Sequence, residues 1–409
     1  MRILFIHQYA FGHSVPGFTR PIEIMAQLMK HYHKPTMISG MFSHITRRKV
    51  PIYKNFIFEK ERVFGVDIYR VSGLFNLSSS LRKLLHHILF MFLSLCTGLI
   101  LSRTDIVISS SPSPFAGLTG FILSRLKRVP FVLEVRDLWP EDLIQEGLMN
   151  PGLSAFLMEK LMRFLYVKAA LILAVTGGIR DGIIRRGITQ KKVVLSTNSV
   201  NVDFFNKKID TSGIRKEIGI NKEFVVLYAG NHGISNALET VIEAAKELKN
   251  ERNILFLMVG EGEEKSKLIQ LSRRYGLENV KFIAAQPKSR IPEVFAVANA
   301  SIVPLKNVPV YEGALPNKLL DSMASATPVI LATGKEARQI IMDSKGGLCV
   351  EPENPIQLAQ AVLQLAKDKK VAVEMGKNAQ HYAFENYSHE KLAKQLEEKL
   401  LNVVARLPS

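Results

Sequence analysis

A short segment near residue 320 carries the side chains best suited to bind a nucleotide. The run Tyr311–Pro328, YEGALPNKLLDSMASATP, places a polar loop directly before a predicted helix. In that helix Lys318 offers a positive charge to a diphosphate, and Asp321, one turn later, offers a carboxylate to ribose hydroxyls. The alternative is a surface ion pair between these two side chains, which would contribute only about 0.2–0.5 kcal/mol.

Two glycine-rich loops in the same half of the chain predict backbone amides that can hold phosphate. GNHG at 230–233 follows one apolar run, and GEG at 260–262 follows the next. Glycine lets the backbone approach a ligand closely, and the free N–H groups at a helix start attract anions. Either loop alone is weak evidence, but on consecutive strands the two predict half of a nucleotide site.

The most distinctive stretch of the first half is Glu134–Glu146, EVRDLWPEDLIQE, which contains the only tryptophan of the chain. Arg136 and Asp137 end an apolar run, and side chains at the carboxyl end of a parallel strand reach the ligand site. The alternative is that Asp137 caps a helix whose dipole Glu141 and Asp142 complement. We favour a functional role for Arg136 and Asp137, and capping for the other two.

The first loop of the chain, AFGHSVPGFTR, follows the first strand-like run and precedes an amphipathic stretch. Its glycines suit contact with a ligand, although such loops are common between strands and helices. The glycine spacing does not match the nicotinamide-binding fingerprint, which also needs a downstream acid. Candidate ligand-binding residues in this loop are Gly12, His13, Gly17 and Arg20.

Short β-branched runs alternate with helix-length stretches, a pattern that predicts parallel sheets with crossover helices. The first series of predicted strands is Arg2–Gln8, Pro35–Gly40, Asp67–Val71, Asp105–Ser110, Pro130–Val135, Leu171–Thr176 and Val193–Thr197. The second is Phe224–Ala229, Ile254–Gly260, Val280–Ala284, Ala300–Pro304, Pro328–Ala332 and Gly347–Val350. We therefore predict an α/β protein with two doubly wound, Rossmann-like domains.

A polar transition near residues 200–210 predicts the boundary between the two domains. We assign 1–203 to the first domain and 204–380 to the second. Residues 381–409 have helical apolar spacing and are expected to cap the second domain or to fold back onto the first. Because open α/β sheets bind ligands at the carboxyl ends of their strands, the active site is expected between the domains.

The charge of the chain is uneven, with 26 Lys and Arg against 12 Asp and Glu in residues 1–200, but 28 against 25 thereafter. A basic first half suits an anionic partner, and without a nucleic-acid motif a membrane surface is favoured over nucleic acid. The two cysteines, Cys96 and Cys349, are too few for a disulfide framework or a metal cluster. The N-terminus lacks the pattern of a signal peptide, so a cytoplasmic location is expected.

One long apolar segment, Leu84–Leu101 (LLHHILFMFLSLCTGLIL), could form either a membrane span or a helix of the first domain. Its uninterrupted apolar part is shorter than the roughly 20 residues that a membrane span requires. We predict a helix that does not cross the membrane. A core helix is favoured over one that dips into the cytoplasmic leaflet.

The ordered series of motifs resembles the family 4 retaining glycosyltransferases over essentially the whole chain. The matching stretches are YAGNHG, VGEGEE, LENVKFIAAQP, PNKLLDSMASATPVI, GGLCVEPENPIQLAQAV and EMGKNA. EVRDLWPED is similar to the subgroup of L-fucosamine and colanic-acid-type transferases in O-antigen and capsule assembly. The resemblance implies a GT-B fold, no metal or other cofactor, and a nucleotide-sugar co-substrate whose diphosphate oxygen helps to deprotonate the acceptor.

The resemblance also implies roles for the two domains and for individual residues. Residues 1–203 should form the acceptor-binding domain, with Gly12, His13, Gly17 and Arg20 as candidate acceptor-binding residues, and 204–380 the domain that binds the nucleotide sugar. Asp321 matches the second acid of the family's E-x7-E motif and should bind the donor ribose. The first acid is replaced by Gly313, with Glu312 one residue earlier, so Glu312 is a candidate catalytic residue beside Arg136, Asp137 and Lys318. The implied donor-binding residues are Gly230, Asn231, Gly260, Glu261, Gly313, Ala314, Leu315, Asn317, Lys318 and Asp321.

A second departure concerns the basic pair that the family carries after the first strand of its donor domain. Here Asn231 and Ser235-Asn236 stand in those places, and Lys318 is the candidate to supply the missing charge. We expect a UDP-sugar donor, with N-acetyl-L-fucosamine as an example, and a polyprenyl-diphosphate-linked acceptor at the cytoplasmic face of the membrane. A GT-B epimerase and a catalytically inactive GT-B scaffold are the alternatives, and a dehydrogenase ranks last.

Overall fold

The computed structural model describes residues 1–405 except 16–18, 44–47, 51–52, 56, 74–79, 102, 112, 208 and 222, and for Arg48, Lys49 and Ser80 it describes the backbone alone. The chain divides into two compact units. Unit 1 comprises Met1–Thr197 together with the segment from His389 onward, and unit 2 comprises Asn198–Ser388. The segment 381–409 that we assigned to one C-terminal helix is therefore split, because its first residues continue a helix of unit 2.

Unit 1 is built on an eight-stranded sheet with the order β10-β9-β8-β7-β1-β2-β6-β5. All neighbouring strands are parallel except the edge pair of β5 with β6. Its strands are β1 Arg2–Ile6, β2 Lys34–Gly40, β5 Phe58–Val63, β6 Val66–Val71, β7 Ile106–Ser110, β8 Phe131–Val135, β9 Leu171–Ala174 and β10 Val193–Leu195. Two further strands of two residues each, β3 Phe42–Ser43 and β4 Arg48–Lys49, form a separate antiparallel pair.

The helices of unit 1 cover both faces of this sheet. They are α1 Arg20–Lys30, α2 Ser80–Ile100, α3 Pro114–Lys127, α4 Glu141–Gln145, α5 Leu153–Lys168, α6 Gly177–Arg185 and, at the C-terminus, α16 His389–Val404. The crossovers from β6 through β9 all step in one direction, so right-handed connections put α2, α3 and α5 on one face. The connection from β1 to β2 steps the other way, and α1 packs with α16 on the opposite face.

Unit 2 contains a six-stranded parallel sheet with the order β13-β12-β11-β14-β15-β16. Its strands are β11 Phe224–Ala229, β12 Ile254–Val259, β13 Val280–Ile283, β14 Ala300–Pro304, β15 Val329–Ala332 and β16 Gly347–Cys349. Its helices are α7 Val202–Phe205, α8 Ser212–Ile218, α9 Leu238–Glu247, α10 Lys265–Arg274, α11 Ile291–Ala296, α12 Asn317–Ala324, α13 Lys335–Ser344, α14 Pro355–Lys367 and α15 Lys369–Tyr387. Short 3-10 turns precede α9, α11 and α12.

The predicted α/β class with two doubly wound sheets is confirmed. Each of the thirteen predicted strands overlaps a strand of the structure. The edge strand β5, FEKERV, was not predicted, because its charged residues hide the apolar alternation that marks a strand. Buried residues of each sheet pack against the helices on its faces and form separate cores in the two units.

Candidate functional site

In unit 2 the two glycine loops pack backbone against backbone at the carboxyl ends of β11 and β12. Gly260 has φ +154°, and a Cβ atom there would lie 1.8 Å from the carbonyl oxygen of Gly230. The amide of His232 donates to the carbonyl of Glu261 at 2.8 Å. Only glycine permits this approach, so the loops form a compact ledge beside the start of α12.

Lys318 lies at the start of α12 with its amine buried beside this ledge. Its Nζ donates to the Tyr228 hydroxyl at 3.1 Å and to Oδ1 of Asn236, and it lies 4.7 Å from the centre of the Tyr228 ring. Both hydrogen-bond partners are neutral, and burial lowers the pKa of the amine from 10.5 to about 7. A buried ammonium without a carboxylate partner is a strong site for an external anion.

Asp321 is not paired with Lys318, which rules out the surface ion pair considered for this helix. Both carboxylate oxygens of Asp321 accept from Nζ of Lys288, each at 2.7 Å. Nζ of Lys288 also lies 5.5 Å from the Phe205 ring centre. Lys318 and Asp321 therefore point to different partners, and the surface i,i+3 pair does not form. The sequence analysis missed Lys288, although it directly follows the LENVKFIAAQP motif.

Other predicted donor residues have structural partners of their own. The carbonyl of Asn231 accepts from the Tyr228 hydroxyl at 2.6 Å and from Nδ2 of Asn236 at 2.9 Å. The carboxylate of Glu261 pairs with Lys265 at 2.7 Å. Asn231 and Glu261 thus shape the loops that flank Lys318. The carbonyl of Asn231 also connects Tyr228 and Asn236, the two hydrogen-bond partners of the Lys318 amine.

The turn before α12 holds the remaining predicted residues. Glu312 is half-exposed and lies 3.5 Å from Nζ of Lys335. The amide of Ala314 donates to Tyr311 within the turn, and the carbonyl of Leu315 accepts from Nδ2 of Asn198 at 2.9 Å. Gly313 ends the 3-10 turn, and Asn317 is the first residue of α12, where helix amides are free for an anion.

His232 is a residue of this site that the sequence analysis did not single out. Its ring is fully buried, and within the described residues neither ring nitrogen has a hydrogen-bond partner. Burial, with the positive charges of Lys265 and Lys318, lowers its pKa to about 4. The imidazole is therefore neutral at physiological pH, and its position in GNHG was the available signal.

In unit 1, Arg136 and Asp137 follow β8 at the carboxyl edge of the sheet. The amide of Arg136 donates to the Ser111 hydroxyl at 2.9 Å, which fixes the start of the loop. Burial raises the pKa of Asp137 to about 6, an effect that the nearby guanidinium of Arg136 opposes. This carboxyl group therefore titrates close to neutral pH, as a group poised for proton exchange does.

The same segment shows which acid stabilises the turn into α4. Pro140 is the N-cap residue after a cis Trp139–Pro140 bond, and Oδ2 of Asp142 accepts from the amide of Leu138 at 2.6 Å. Asp142 therefore stabilises the turn, as predicted, and Asp137 is not the cap. Glu141 instead pairs with Arg186 at 3.0 Å.

Arg20, a predicted acceptor-binding residue, is buried inside unit 1. Its guanidinium donates to Glu134 at 2.8 Å and to the carbonyls of Ser196 and Thr197 at 3.1 and 2.8 Å. Glu134 also accepts from Ser110, and although burial alone would raise its pKa, the nearby arginines hold it at about 2. This arrangement favours a structural role for Arg20 over acceptor contact.

The other residues predicted from the first loop are described in part. His13 lies 2.9 Å from the buried carboxylate of Glu23, which also lies 3.2 Å from His389. Burial alone would raise the pKa of Glu23, but hydrogen bonds from the two histidines hold it well below its usual range. A Cβ atom on Gly12 would lie 3.1 Å from Val63, and Gly17 lies outside the described residues.

Comparison with known proteins identifies both halves of the chain. Residues 210–382 match the model of glycosyl transferases group 1, and residues 56–198 match a glycosyl transferase 4-like domain. The putative colanic acid biosynthesis glycosyl transferase WcaI of Escherichia coli is 26% identical over 287 residues, covering 66% of this chain and 69% of that protein. An alpha-D-kanosaminyltransferase of Streptomyces kanamyceticus is 27% identical, covering 54% of this chain and 57% of that protein.

Among solved structures, HepE of Anabaena in complex with UDP-glucose has a TM-score of 0.74 and 18% identity, covering 98% of this chain and all of that one. This likeness shows the fold, which is GT-B. Together with the two family models and the relatives, it establishes that the chain is a family 4 glycosyltransferase that resembles the colanic-acid-type transferases.

Proposed function

We propose that the protein is a retaining glycosyltransferase that moves a sugar from a UDP-sugar onto a polyprenyl-diphosphate-linked saccharide. The reaction takes place at the cytoplasmic face of the membrane, during assembly of an O-antigen or capsule polysaccharide. The donor sugar is an amino-deoxy hexose of the N-acetyl-L-fucosamine kind. The observation that carries the proposal is the buried Lys318 amine, whose two hydrogen-bond partners, the Tyr228 hydroxyl and Oδ1 of Asn236, are neutral.

The diphosphate of the donor is the anion that this amine is suited to bind. The ledge of Gly230 and Gly260 flanks this amine, and the amides at Asn317 lie at a helix N-terminus, which attracts anions. When the sugar–phosphate bond breaks, negative charge grows on the leaving diphosphate. Lys318 stabilises that charge, and loss of one such donor typically raises a barrier by about 3 kcal/mol.

Asp321 binds the ribose hydroxyls of the same donor. Its carboxylate is held by Lys288 at 2.7 Å, so it is oriented before the nucleotide arrives. An oriented acceptor group spends less conformational entropy on binding than a free side chain. Lys288 is therefore a positioning residue for the ribose contact, and Asp321 is the residue that touches the nucleotide.

Arg136 and Asp137 of unit 1 act near the transferred sugar. With its pKa raised to about 6, Asp137 is mostly ionised at neutral pH and can accept a hydrogen bond from a sugar hydroxyl. The phosphate-linked acceptor suits the basic first half of the chain, which has 26 Lys and Arg against 12 Asp and Glu. The name of the colanic acid relative supports the polysaccharide context.

The first experiment is thermal denaturation of the purified protein with a panel of nucleotides and nucleotide sugars. We expect UDP to raise the melting temperature, and Lys318→Ala and Asp321→Ala to abolish the rise. Lys370→Ala, at an exposed lysine of the same unit, is the matched control and should keep it. A shift with GDP alone would change the base, and the absence of any shift would favour the inactive scaffold.

A second measurement separates transfer from isomerisation. Incubation with a UDP-sugar and no acceptor should leave the sugar configuration unchanged, with at most slow hydrolysis. An isomerised nucleotide sugar would instead identify a GT-B epimerase.

A further inference from the structure

The α2 helix of unit 1 has a largely apolar exposed side. Its buried side carries His86, Phe90, Ser94 and Gly98, so only one of its four buried positions is a large apolar residue. Phe92 is 60% exposed at the middle of that side. The exposed apolar residues of α2 are Leu81, Leu84, Leu85, Ile88, Phe92, Leu99 and Ile100. A helix on the surface of a soluble domain has the opposite arrangement, with its apolar side toward the core.

The α5 helix also exposes apolar side chains, although its buried side is apolar too and packs Met162, Leu165 and Tyr166 into the core. Phe156 is 56% exposed, and the ammonium of Lys160 lies 5.2 Å from its ring centre. Lys168 holds the same relation to Phe164 at 5.9 Å. The exposed apolar residues of α5 are Leu153, Phe156, Leu157, Phe164 and Val167. Lysines that extend along aromatic rings are typical of helices at a boundary between apolar and aqueous phases.

These two helices share one layer. The α3 helix lies between them and packs on both, so the apolar sides of α2 and α5 face away from the same side of the sheet. Gly98 permits the contact, because a Cβ atom there would lie 2.4 Å from Leu123 of α3. The exposed Leu126 of α3 adds to the same surface. We call the exposed apolar residues of α2, α3 and α5 the outer face.

Most of the charged residues on α2, α3 and α5 are basic. Two basic residues come from α2, two from α3 and three from α5, against a single carboxylate, Glu159. That carboxylate lies 3.5 Å from Arg186. An apolar surface bordered almost entirely by lysine and arginine complements an anionic lipid leaflet, where each basic residue contributes about 1 kcal/mol.

We propose that the outer face docks in the plane of an anionic lipid bilayer and inserts its apolar side chains among the lipid headgroups and upper acyl chains. By length and composition the stretch Leu81–Ile100 is also sufficient to cross a membrane. However, the buried side of α2 packs on α3 and the sheet, which suits a helix that lies along the surface. The proposal deepens the proposed function by naming the surface that meets the membrane.

The test is flotation of the full-length protein with phosphatidylcholine vesicles that contain 30% phosphatidylglycerol, compared with pure phosphatidylcholine. The first variants are Ile88→Ser/Phe92→Ser on α2 and Phe156→Ser/Leu157→Ser on α5. The matched control is Met342→Ser/Ile356→Ser, at two apolar residues of unit 2 that are 61% and 60% exposed. A charge variant, Arg82→Glu/Lys83→Glu, is compared with Lys369→Glu/Lys370→Glu in unit 2.

We expect binding to the anionic vesicles that falls at 0.5 M salt. Each outer-face pair should weaken it at least about tenfold, because each loses much of two apolar side chains. The unit 2 controls should bind as the unchanged protein does. Equal binding by all variants would overturn the proposal. The proposal would also be overturned if the unchanged protein did not bind vesicles but formed a dimer in light scattering, and if the outer-face variants dissociated that dimer.

The donor site provides an independent check on these variants. Each should retain the UDP-induced rise in melting temperature, because the outer face shares no residue with unit 2. If vesicle binding fails while that rise persists, the docking surface is wrong and the proposed transferase stands. If the unchanged protein shows no UDP-induced rise but floats with the vesicles, the docking surface stands and the proposed transferase is wrong.

Discussion

Each unit buries a basic side chain near its candidate site, but in opposite surroundings. In unit 1 the guanidinium of Arg20 is paired with the carboxylate of Glu134 and with two backbone carbonyls. In unit 2, among the residues that the structure describes, the amine of Lys318 donates only to a phenol and a side-chain amide. Burial is common to both, so burial does not identify a binding residue. What differs is whether the protein itself supplies the countercharge.

Two acids of the EVRDLWPED stretch, Glu134 and Asp137, show the same contrast. Glu134 faces arginine and has its pKa lowered to about 2, so it stays ionised as part of the fold. Asp137 lies three residues later, and burial raises its pKa to about 6. A charge that the fold neutralises contributes to stability, whereas one that the fold leaves uncompensated is available to a ligand. The predictions below test that division.

The largest expected effect is on the stability of unit 1. Arg20→Met should lower the free energy of unfolding by about 3–5 kcal/mol, because it leaves the buried carboxylate of Glu134 without its hydrogen-bonded cation. Lys318→Met, which removes a buried cation with neutral partners, should change it by no more than about 1 kcal/mol or raise it. Urea unfolding followed by circular dichroism measures both. Equal losses in the two variants would contradict the comparison.

A second effect concerns the pH dependence of UDP binding. The pKa of Lys318 is about 7 in the folded protein and 10.5 in an unfolded chain, so the unfolded chain binds more protons between these values. In that interval the contribution of Lys318 makes the folded state more stable as pH rises. UDP favours the protonated amine, so its affinity should fall above pH 7, by up to about tenfold per pH unit.

Isothermal titration calorimetry from pH 6 to 9, in buffers of different ionisation enthalpy, measures this effect. Proton uptake should accompany UDP binding near pH 8. Lys318→Arg should flatten the profile, since arginine stays protonated throughout the range. A profile that is equally steep in this variant would assign the titration to another group.

The smallest expected effect is at the ribose contact. Asp321→Asn should weaken UDP binding by about three- to tenfold, since it removes a charged acceptor but leaves a neutral one. The unchanged protein should prefer UDP over 2′-deoxy-UDP, and the variant should lose much of that preference. Lys288→Met should also weaken binding while keeping the preference. A variant that discriminates as the unchanged protein does would remove Asp321 from the ribose site.

Sequence patterns predicted the parallel sheets well, because fully buried strands are short apolar runs separated by turn residues. Lys318 and Asp321 could also be selected from their types and spacing. Their partners could not, since Lys288 and Asn236 come from other loops of the sheet. The structural role of Arg20 depends on Glu134, 114 positions away, and no local pattern encodes such a pairing.

The interpretation of Leu84–Leu101 was wrong in its preference for a core helix. Apolar residues at helical spacing identify a helix and one apolar side, but they do not say whether that side faces the protein or its surroundings. Only 22% of the window Leu81–Ile100 is buried. The polar and small residues on the opposite side, Ser94 and Gly98 among them, were the available signal for the inverted orientation.

The C-terminal helix α16 affects the order in which the protein is completed on the ribosome. Its residues Leu392, Leu396 and Leu400 are buried in the same core as Ile22 and Leu28 of α1. Unit 1 therefore cannot close its core until α16 has left the exit tunnel, whereas the chain of unit 2 is complete earlier. A nascent chain stopped before His389 exposes an apolar surface on α1, which is the kind of surface that promotes aggregation and that chaperones bind.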